Sequence, residues 1–494
     1  MPEYKHGAYG QVNAVSSRRA ETTQAIVYIG TAPVHNVEGG AANVNKPILC
    51  NNIAEAKRYL GYSDDWASYS LCEAMHAHFE VKGVGPLIFI NVLNPATHKS
   101  GTQTTVSKTP ASGKIEITNA ASIILDTVVV QTTDDTPVVK VKGTDYTIAY
   151  NAEKATITIT EIGTGLGTSA LDVLYYTIDA SAVTAADVIG STDGLGQNTG
   201  IYAVRDIYQL TGQIPAYIVA PGFSSITTVH DALVANSSKI NGHWDAFLFV
   251  DLPILNGSTP LTLDTIFAYK NANGYNKDNE TVNFPLVSGT DGKTYHLSTL
   301  RAANFQELLI NQDGVPYRTA SNSECQLIEN LYLGEAQAGR IIDESLVNEK
   351  LNKNGIASAA FVGGRWALWG AHSASYNQTD ADAVNVAETN RIMLYYISND
   401  FQIRRSLDVD QPLTINDLQS IVSEEQAHLD ALKSIGAIIF GEVLLDARLR
   451  DTSDLLSGDW SITFNVTTTP LAKSLTAVVN WTDDGFVTYF EEQA

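Results

Sequence analysis

A strand, a helix and a second strand follow one another in "AYIVAPG" (216–222), "SITTVHDALVANSS" (225–238) and "DAFLFVDLP" (245–253), and this succession restricts the chain more than any other feature. Two apolar strands joined by a helix form a β-α-β unit, and such a unit builds a parallel sheet. The same grammar occurs earlier. "AIVYIG" (25–30) reads as a strand, and "NNIAEAKRYLG" (51–61) as a helix capped by Asn51 or Asn52 and stopped by Gly61. "SLCEAMHAHFEVKG" (70–83) is a second helix, "PLIFINVL" (86–93) a buried strand, and the pattern resumes at "GIYAVRDIYQLTG" (200–212).

Between these two stretches the composition changes. No Phe, Trp or Tyr occurs between Asn91 and Asp145, and "KIEITN", "ILDTVVVQ", "VVKVKGTDYTIAY" and "KATITIT" are short Thr-, Val- and Ile-rich strands at sandwich-like spacing. Residues 96–195 are therefore expected to be an inserted all-β module whose two ends leave the α/β core side by side. The C-terminal zone differs again. In "VNVAETNRIMLYYISNDFQIRRSL" (384–407), Met393, Ile397 and Phe401 share one side of a long helix, and Arg391, Ser398, Gln402 and Arg405 share the other. Thr414 and Asp417 form a capping box for a further helix, in which Ile415, Leu418, Val422, Leu429 and Leu432 recur at a/d spacing, Glu425 interrupts and Gly436 stops. Strands are expected over "AIIFGEVLLDA", "DWSITFNVTTT", "SLTAVVNW" and "GFVTYFEE", with an Asp-Gly hairpin before the last. The fold class is α/β and α+β, multidomain: a polar arm over 1–22, an α/β domain over 23–95 and 196–345, the insertion, a C-terminal α+β domain over 346–480 and a terminal strand over 481–494.

Chemistry is hard to find. A formal charge of −23 and only 31 Lys and Arg argue against a nucleic-acid partner, which needs clustered cations. Cys50, Cys72 and Cys325 are scattered and odd in number, which indicates neither a disulfide framework nor a zinc site and fits a reducing cytoplasm. "MPEYKHGAYG" lacks an apolar signal core, and no run approaches the ~18 apolar residues of a membrane span, so neither secretion nor membrane insertion is expected. "GTDGKT" (289–294) has Val287 where a phosphate loop needs Gly, and reads as a hairpin turn; "GTGLGTS" (163–169) reads as a loop inside the β module. His76 and His78 are two apart on a helix and point to different faces, so they form no metal pair. Asp251 is the best enzymatic candidate, at the carboxyl end of "AFLFV" where open α/β sheets place ligands, against the alternative that it caps a turn before Pro253. His243 and Asp245 lie at the other end of that strand, and there is no G-x-S-x-G elbow. No cofactor and no metal site is expected.

"YKHGAYG", "PILCNNIAEAKRYLG", "AYIVAPGF", "FLFVDLP", "LNKNGIASAAFVGGRWALWGAHSA", "NVAETNRIMLYYISNDFQIRRSLDVDQPL" and "LDALKSIGAIIFGEVLLD" occur in this order. The series resembles the contractile tail sheath proteins of myophages, R-type bacteriocins and related injection particles, over nearly the whole chain except residues 96–195, where that family carries a variable outward-facing domain. The resemblance implies a structural protein, not an enzyme, that polymerises with itself as six-membered rings around a tail tube. Further partners it implies are baseplate and tail-terminator proteins, in a virion or phage-tail-like particle assembled in the bacterial cytoplasm. It also implies that the terminal arms leave the subunit and add strands to neighbours, with Tyr9, Gln11 and Val15 in the first arm and Phe486, Val487, Tyr489 and Phe490 in the last, against the alternative of a final hairpin folded on its own domain. On so acidic a chain, Arg391 and Arg405, or Lys433 on the next helix, are the candidate handles for the tube, with a solvated face or an ion pair inside the subunit as the alternative. The competing reading is an α/β enzyme with an Ig-like appendage and Asp251 in its cleft.

Overall fold

A computed structural model of the chain describes residues 23–378, 382–445, 458, 460–483 and 485–486. Tyr9, Gln11 and Val15, and with them Val487, Tyr489 and Phe490, lie outside the described residues.

The apolar runs assemble into one eight-stranded sheet. Its strands lie in the order Arg365–Trp369, Ile356–Val362, Glu280–Asn283, Phe247–Asp251, Ile214–Val219, Gln24–Gly30, Leu87–Asn91 and Pro47–Cys50. The six inner strands run parallel and only the two outermost are antiparallel to their neighbours. Every residue of Leu87–Asn91, Ile214–Val219 and Phe247–Asp251 is buried, as expected of strands covered on both faces. The antiparallel edge at Ile356–Trp369 is reached through a two-residue turn, Gly363-Gly364, whose φ angles of 61° and 82° suit only glycine well and match the strand twist. Among the covering helices, Ile53–Leu60 starts at Asn52, whose side chain accepts from the Glu55 N–H at 3.0 Å, and ends at Gly61. The helix Leu297–Ile310 begins within "YHLST", which does not read as a helix; eleven of its fourteen residues are buried, Ser298, Arg301 and Asn304 among them, so no exposed polar stripe marks it in the sequence.

The insertion forms two three-stranded antiparallel sheets, Thr104–Lys108/Leu171–Tyr175/Val129–Thr132 and Lys114–Ile117/Thr156–Glu161/Tyr146–Asn151. Alternate inward residues such as Ile115, Val130, Ile148, Ile159 and Val173 make a core separate from that of the large sheet. Its roots are paired: Ser100 N donates to Thr177 O at 2.8 Å and Asp179 N to His98 O at 2.9 Å, so the chain leaves and re-enters at one place. A second contact ties it down, where His35 Nε2 and Asn36 Nδ2 meet Ala121 O at 2.9 and 3.2 Å. "VVKVK" departs from expectation, because Val138, Val139 and Val141 are exposed in a connection rather than a strand. β-branched residues favour strands only where a pleated surface is available to pack against.

The chain divides at Pro412/Leu413, not at 345/346. The strands Ile356–Val362 and Arg365–Trp369 complete the large sheet, and the helix Glu388–Arg405 belongs to the same unit, so much of the segment expected with the C-terminal domain lies in the first. The second unit holds the helix Ile415–Ser434, opened by the Thr414/Asp417 capping box, and a ribbon of Ile438–Leu445 paired with Ile462–Thr468. Beyond the ribbon the expected strand "SLTAVVNW" is absent: residues 470–482 have no regular structure, and Gly485 and Phe486 stand in a helical turn instead of a hairpin strand. A strand needs a neighbour to satisfy its backbone, and this segment has none among the described residues.

Candidate functional surfaces

Asp251 is sealed. It is 2% exposed, and its carboxylate accepts from the Ser298 N–H at 2.9 Å and from the Ser298 hydroxyl. Its own N–H donates to Ser224 Oγ at 3.1 Å. The residue therefore anchors the first turn of the Leu297–Ile310 helix, a neighbour of the turn-capping role rather than a ligand role. Burial pushes its carboxyl up to about 6. Beside it, Glu73 accepts from both His296 N and His296 Nδ1 at 2.7 Å. Burial alone would lower that imidazole, but the charge and hydrogen bond of Glu73, with Asp251 behind it, lift it to about 9. Two cavities among the described residues, one beside Asn304 and one beside His98, are lined without Asp251. "GTDGKT" is a hairpin turn between Leu286–Gly289 and Thr294–Tyr295, and no cluster of three metal-ligating side chains occurs among the described residues. No helix of the described residues is long and apolar enough to cross a membrane.

Two buried polar assemblies have no local sequence signal. Glu388, at the start of its helix, pairs with Arg301 Nη2 at 2.9 Å and also accepts from Thr319 Oγ1 at 2.6 Å and from Thr281 Oγ1. His230 Nε2 lies 2.6 Å from Glu280, with both side chains fully buried. Each pair spans tens of residues: Arg301–Glu388 joins two helices, with Thr281 tying Glu388 to the sheet, and His230–Glu280 joins a helix to a sheet strand.

The cationic candidates separate. The polar side of the Glu388–Arg405 helix is turned toward its own unit: Arg391 pairs with Asp278, Asn399 exchanges hydrogen bonds with Asp245 at 3.1 and 2.9 Å, and Gln402 Nε2 donates to His243 O at 3.0 Å. Arg405 pairs with Asp408 at 3.3 Å. The arginines thus have the partners inside the subunit that were weighed against a tube role. Lys433, in the last turn of the Ile415–Ser434 helix, is exposed and has no ion pair among the described residues.

The ribbon of the second unit is open. Gly441 faces the helix, where a Cβ would stand 3.0 Å from Leu429 Cβ, so only glycine lets strand and helix approach this closely. Gln426 closes part of one edge, its Nε2 donating to Gly441 O at 3.1 Å and its Oε1 accepting from Val443 N at 2.9 Å. The other edge, Ile462–Thr468, pairs with no further strand among the described residues. The tail beyond it carries Leu475, Val479 and Trp481 at 92, 90 and 82% exposure. Phe486, of the expected C-terminal arm, is likewise exposed. Large apolar side chains this exposed, in period-two order, are out of place on an isolated chain.

No protein-family model matches the chain. The tail sheath protein of Burkholderia phage BcepMu is 25% identical, with 98% of each protein covered. Among solved structures, a chain of the anti-feeding prophage baseplate in its contracted state aligns with a TM-score of 0.55 and 12% identity over 97% of this chain and 99% of that one. The sheath complex of the PVC extracellular contractile injection system, also contracted, gives 0.53 and 11% over 98% of both. The sheath tail protein of Desulfitobacterium hafniense gives 0.51 and 11% over 94% of this chain and 100% of that one. The chain is thus similar in sequence from end to end to a phage tail sheath protein, and it shares the fold of the sheath proteins of contractile injection systems.

Proposed function

We propose that this protein is the subunit of a contractile sheath that polymerises around a tail tube as stacked six-membered rings and drives the tube by collapsing from a metastable extended lattice. The observation that carries this is the unpaired Ile462–Thr468 edge together with the exposed, strand-spaced tail of the same unit. An edge of free N–H and C=O groups takes an added strand, with main-chain hydrogen bonds for affinity and alternate side chains for specificity. The tail of a neighbouring copy supplies that strand, with Leu475, Ala477, Val479 and Trp481 on one face. Each large apolar side chain so buried contributes about 1.5–3 kcal/mol. The terminal arms, 1–22 and the last residues from Phe486, extend the weave, and its shared backbone bonds hold subunits together while side-chain interfaces slide.

Contraction in this reading consumes no substrate. The energy lies in lattice packing, released when the interfaces repack. The insertion faces outward, Lys433 meets the tube, and baseplate and terminator proteins close the two ends of a particle assembled in the bacterial cytoplasm. Cutting the chain after Lys473 tests the weave. The expected product is a soluble monomer of unchanged melting temperature that forms no tubes under the electron microscope. Tubes of normal length from the truncated protein would overturn the reading.

A further inference from the structure

Four asparagine–glycine steps occur in the chain, at 241–242, 256–257, 273–274 and 354–355. At such a step a chain can modify itself, because the nitrogen of a residue without a side chain reaches the preceding amide carbon with little crowding. The reaction needs two free groups, the glycine nitrogen to attack and the side-chain amide to turn toward it. At three of the steps the fold ties both. Asn241 Nδ2 donates to Arg205 O, and Gly242 N donates to Lys239 O at 2.7 Å. Asn273 Nδ2 donates to Tyr269 O at 2.9 Å, its Oδ1 accepts from Thr227 Oγ1 at 3.3 Å, and Gly274 N donates to Asn271 O at 3.4 Å. Asn354 Nδ2 donates to Lys350 O at 2.9 Å, and Gly355, which is buried, donates its N–H to Asn352 O at 3.1 Å. The fourth step differs. Asn256 and Gly257 are exposed, at the turn between the short strands Leu255–Asn256 and Thr259–Pro260. Neither the Asn256 side chain nor the Gly257 N–H has a hydrogen bond among the described residues. The ladder that holds the turn consists of two residue pairs, Leu255 with Pro260 and Asn256 with Thr259, and so short a ladder opens readily. Around the Gly257 α-carbon there is open space, with no atom within 4 Å of where a Cβ would stand.

We propose that Asn256 is a site of spontaneous modification, at which the Gly257 nitrogen displaces the side-chain amide and the asparagine becomes aspartate or isoaspartate. The Gly257 N–H gives its proton to hydroxide, and the nitrogen bonds to Asn256 Cγ. The Cγ–Nδ2 bond breaks, and the nitrogen leaves as ammonia after taking a proton from water, which restores the hydroxide. The five-membered imide that results is opened by water at either carbonyl. Attack at Cγ returns the backbone to its normal path and gives aspartate; attack at the backbone carbonyl routes the chain through Cγ and gives isoaspartate. In sum one water is consumed and one ammonia released, with no oxidant and no cofactor. Both products add a negative charge to the turn. Isoaspartate also inserts a methylene into the backbone, which displaces the pair of Asn256 with Thr259 that closes the turn. The chemistry is the chain's own and does not depend on its assembly.

Peptide mapping by mass spectrometry tests it on the full-length protein held at mildly alkaline pH, folded and in urea. Cleavage after Lys239 and Lys270 leaves Asn241 and Asn256 on one peptide, so fragmentation compares an engaged step with the free one in the same molecule. In the folded protein Asn256 is expected to convert about tenfold faster, or more, than each of the other three, because a bonded step reacts only in the fraction of molecules in which it has opened. In urea the four rates should converge to within a few-fold, since the fold no longer separates them. Aspartate and isoaspartate should both appear at position 256. Asn256→Gln, whose longer side chain would have to close a six-membered ring, should leave that peptide unchanged in mass over the same period. Equal rates at all four steps in the folded protein, faster conversion at another step, an order of rates that persists in urea, or aspartate without isoaspartate would each overturn the inference. The comparison within the wild-type chain decides the matter even if Asn256→Gln disturbs folding.

Discussion

Replacing Glu388 by Gln removes the only counter-charge that Arg301 has among the described residues while keeping the side-chain shape. Arg301 is 0% exposed, its Nη2 lies 2.9 Å from Glu388 and its Nη1 has no hydrogen-bond partner among the described residues, so it has no route to water. Breaking a buried pair by removing one partner costs about 3–5 kcal/mol, because the remaining charge is left uncompensated. Gln keeps one acceptor for Thr319 or Thr281 but adds an amide N–H pair facing the Arg301 donors, so a loss of about 3 kcal/mol is expected. That is roughly a hundredfold change in the folded-to-unfolded ratio. Urea unfolding of the monomer, followed by far-ultraviolet circular dichroism, reads it as a lower midpoint for the first unit. The double variant Arg301→Met/Glu388→Leu should recover most of the loss, since apolar replacement of a whole buried pair is often neutral or better. A loss below about 1 kcal/mol for Glu388→Gln, or a double variant less stable than the single, would show that the pair is solvated and that the helix Glu388–Arg405 is held by its apolar contacts alone.

The insertion's paired roots predict that joining Lys99 to Ile178 through a short Gly/Ser linker leaves tube assembly intact under the electron microscope; a variant that folds but never assembles would make the insertion part of the lattice contact. Because the Asp251 carboxyl sits at about 6 when folded, above the ordinary 3.8, the folded state holds its proton more tightly, and this contribution to stability is lost as pH rises from 3.8 through 6. Asp251→Asn should therefore gain stability relative to wild type across that window, and a pH-independent difference between the two unfolding curves would contradict it. Lys433→Glu should weaken binding to purified tail tubes and flatten its salt dependence without changing the monomer's melting temperature, whereas Arg391→Glu, which breaks the pair with Asp278, should lower that temperature first. Equal tube binding by Lys433→Glu and wild type at every salt concentration would remove Lys433 from the interface.

Much of the architecture was legible because it is written in local periodicity. The strands Gln24–Gly30, Leu87–Asn91, Ile214–Val219 and Phe247–Asp251 are apolar at every position or nearly so, and a run of that kind has few homes besides the middle of a parallel sheet. Asn52, Gly61, Thr414 and Asp417 mark helix ends through hydrogen bonds that span three or four residues, within reach of any reading of the chain. The aromatic-poor stretch marked the insertion, since its small strands bury Ile and Val in a core of their own.

What the sequence left open depended on partners far along the chain. Helix Leu297–Ile310 buries its polar residues together with its apolar ones and so shows no amphipathic stripe; only the sheet beneath it reveals what it is. The strands Ile356–Val362 and Arg365–Trp369 looked like the start of another domain until Glu280–Asn283 took the first of them as its neighbour. For Arg391 and Arg405 a helical wheel left a tube contact and an ion pair inside the subunit both open, because it places a residue on a side but says nothing of what lies against that side; Asp278 and Asp408 lie there. The tail Leu475–Trp481 carries the alternation of a strand and is not one here. Periodicity determines which face a strand would present, because successive side chains point to opposite sides. Whether the strand forms is decided by a partner for its backbone, since an unpaired row of N–H and C=O groups gains nothing by being straight.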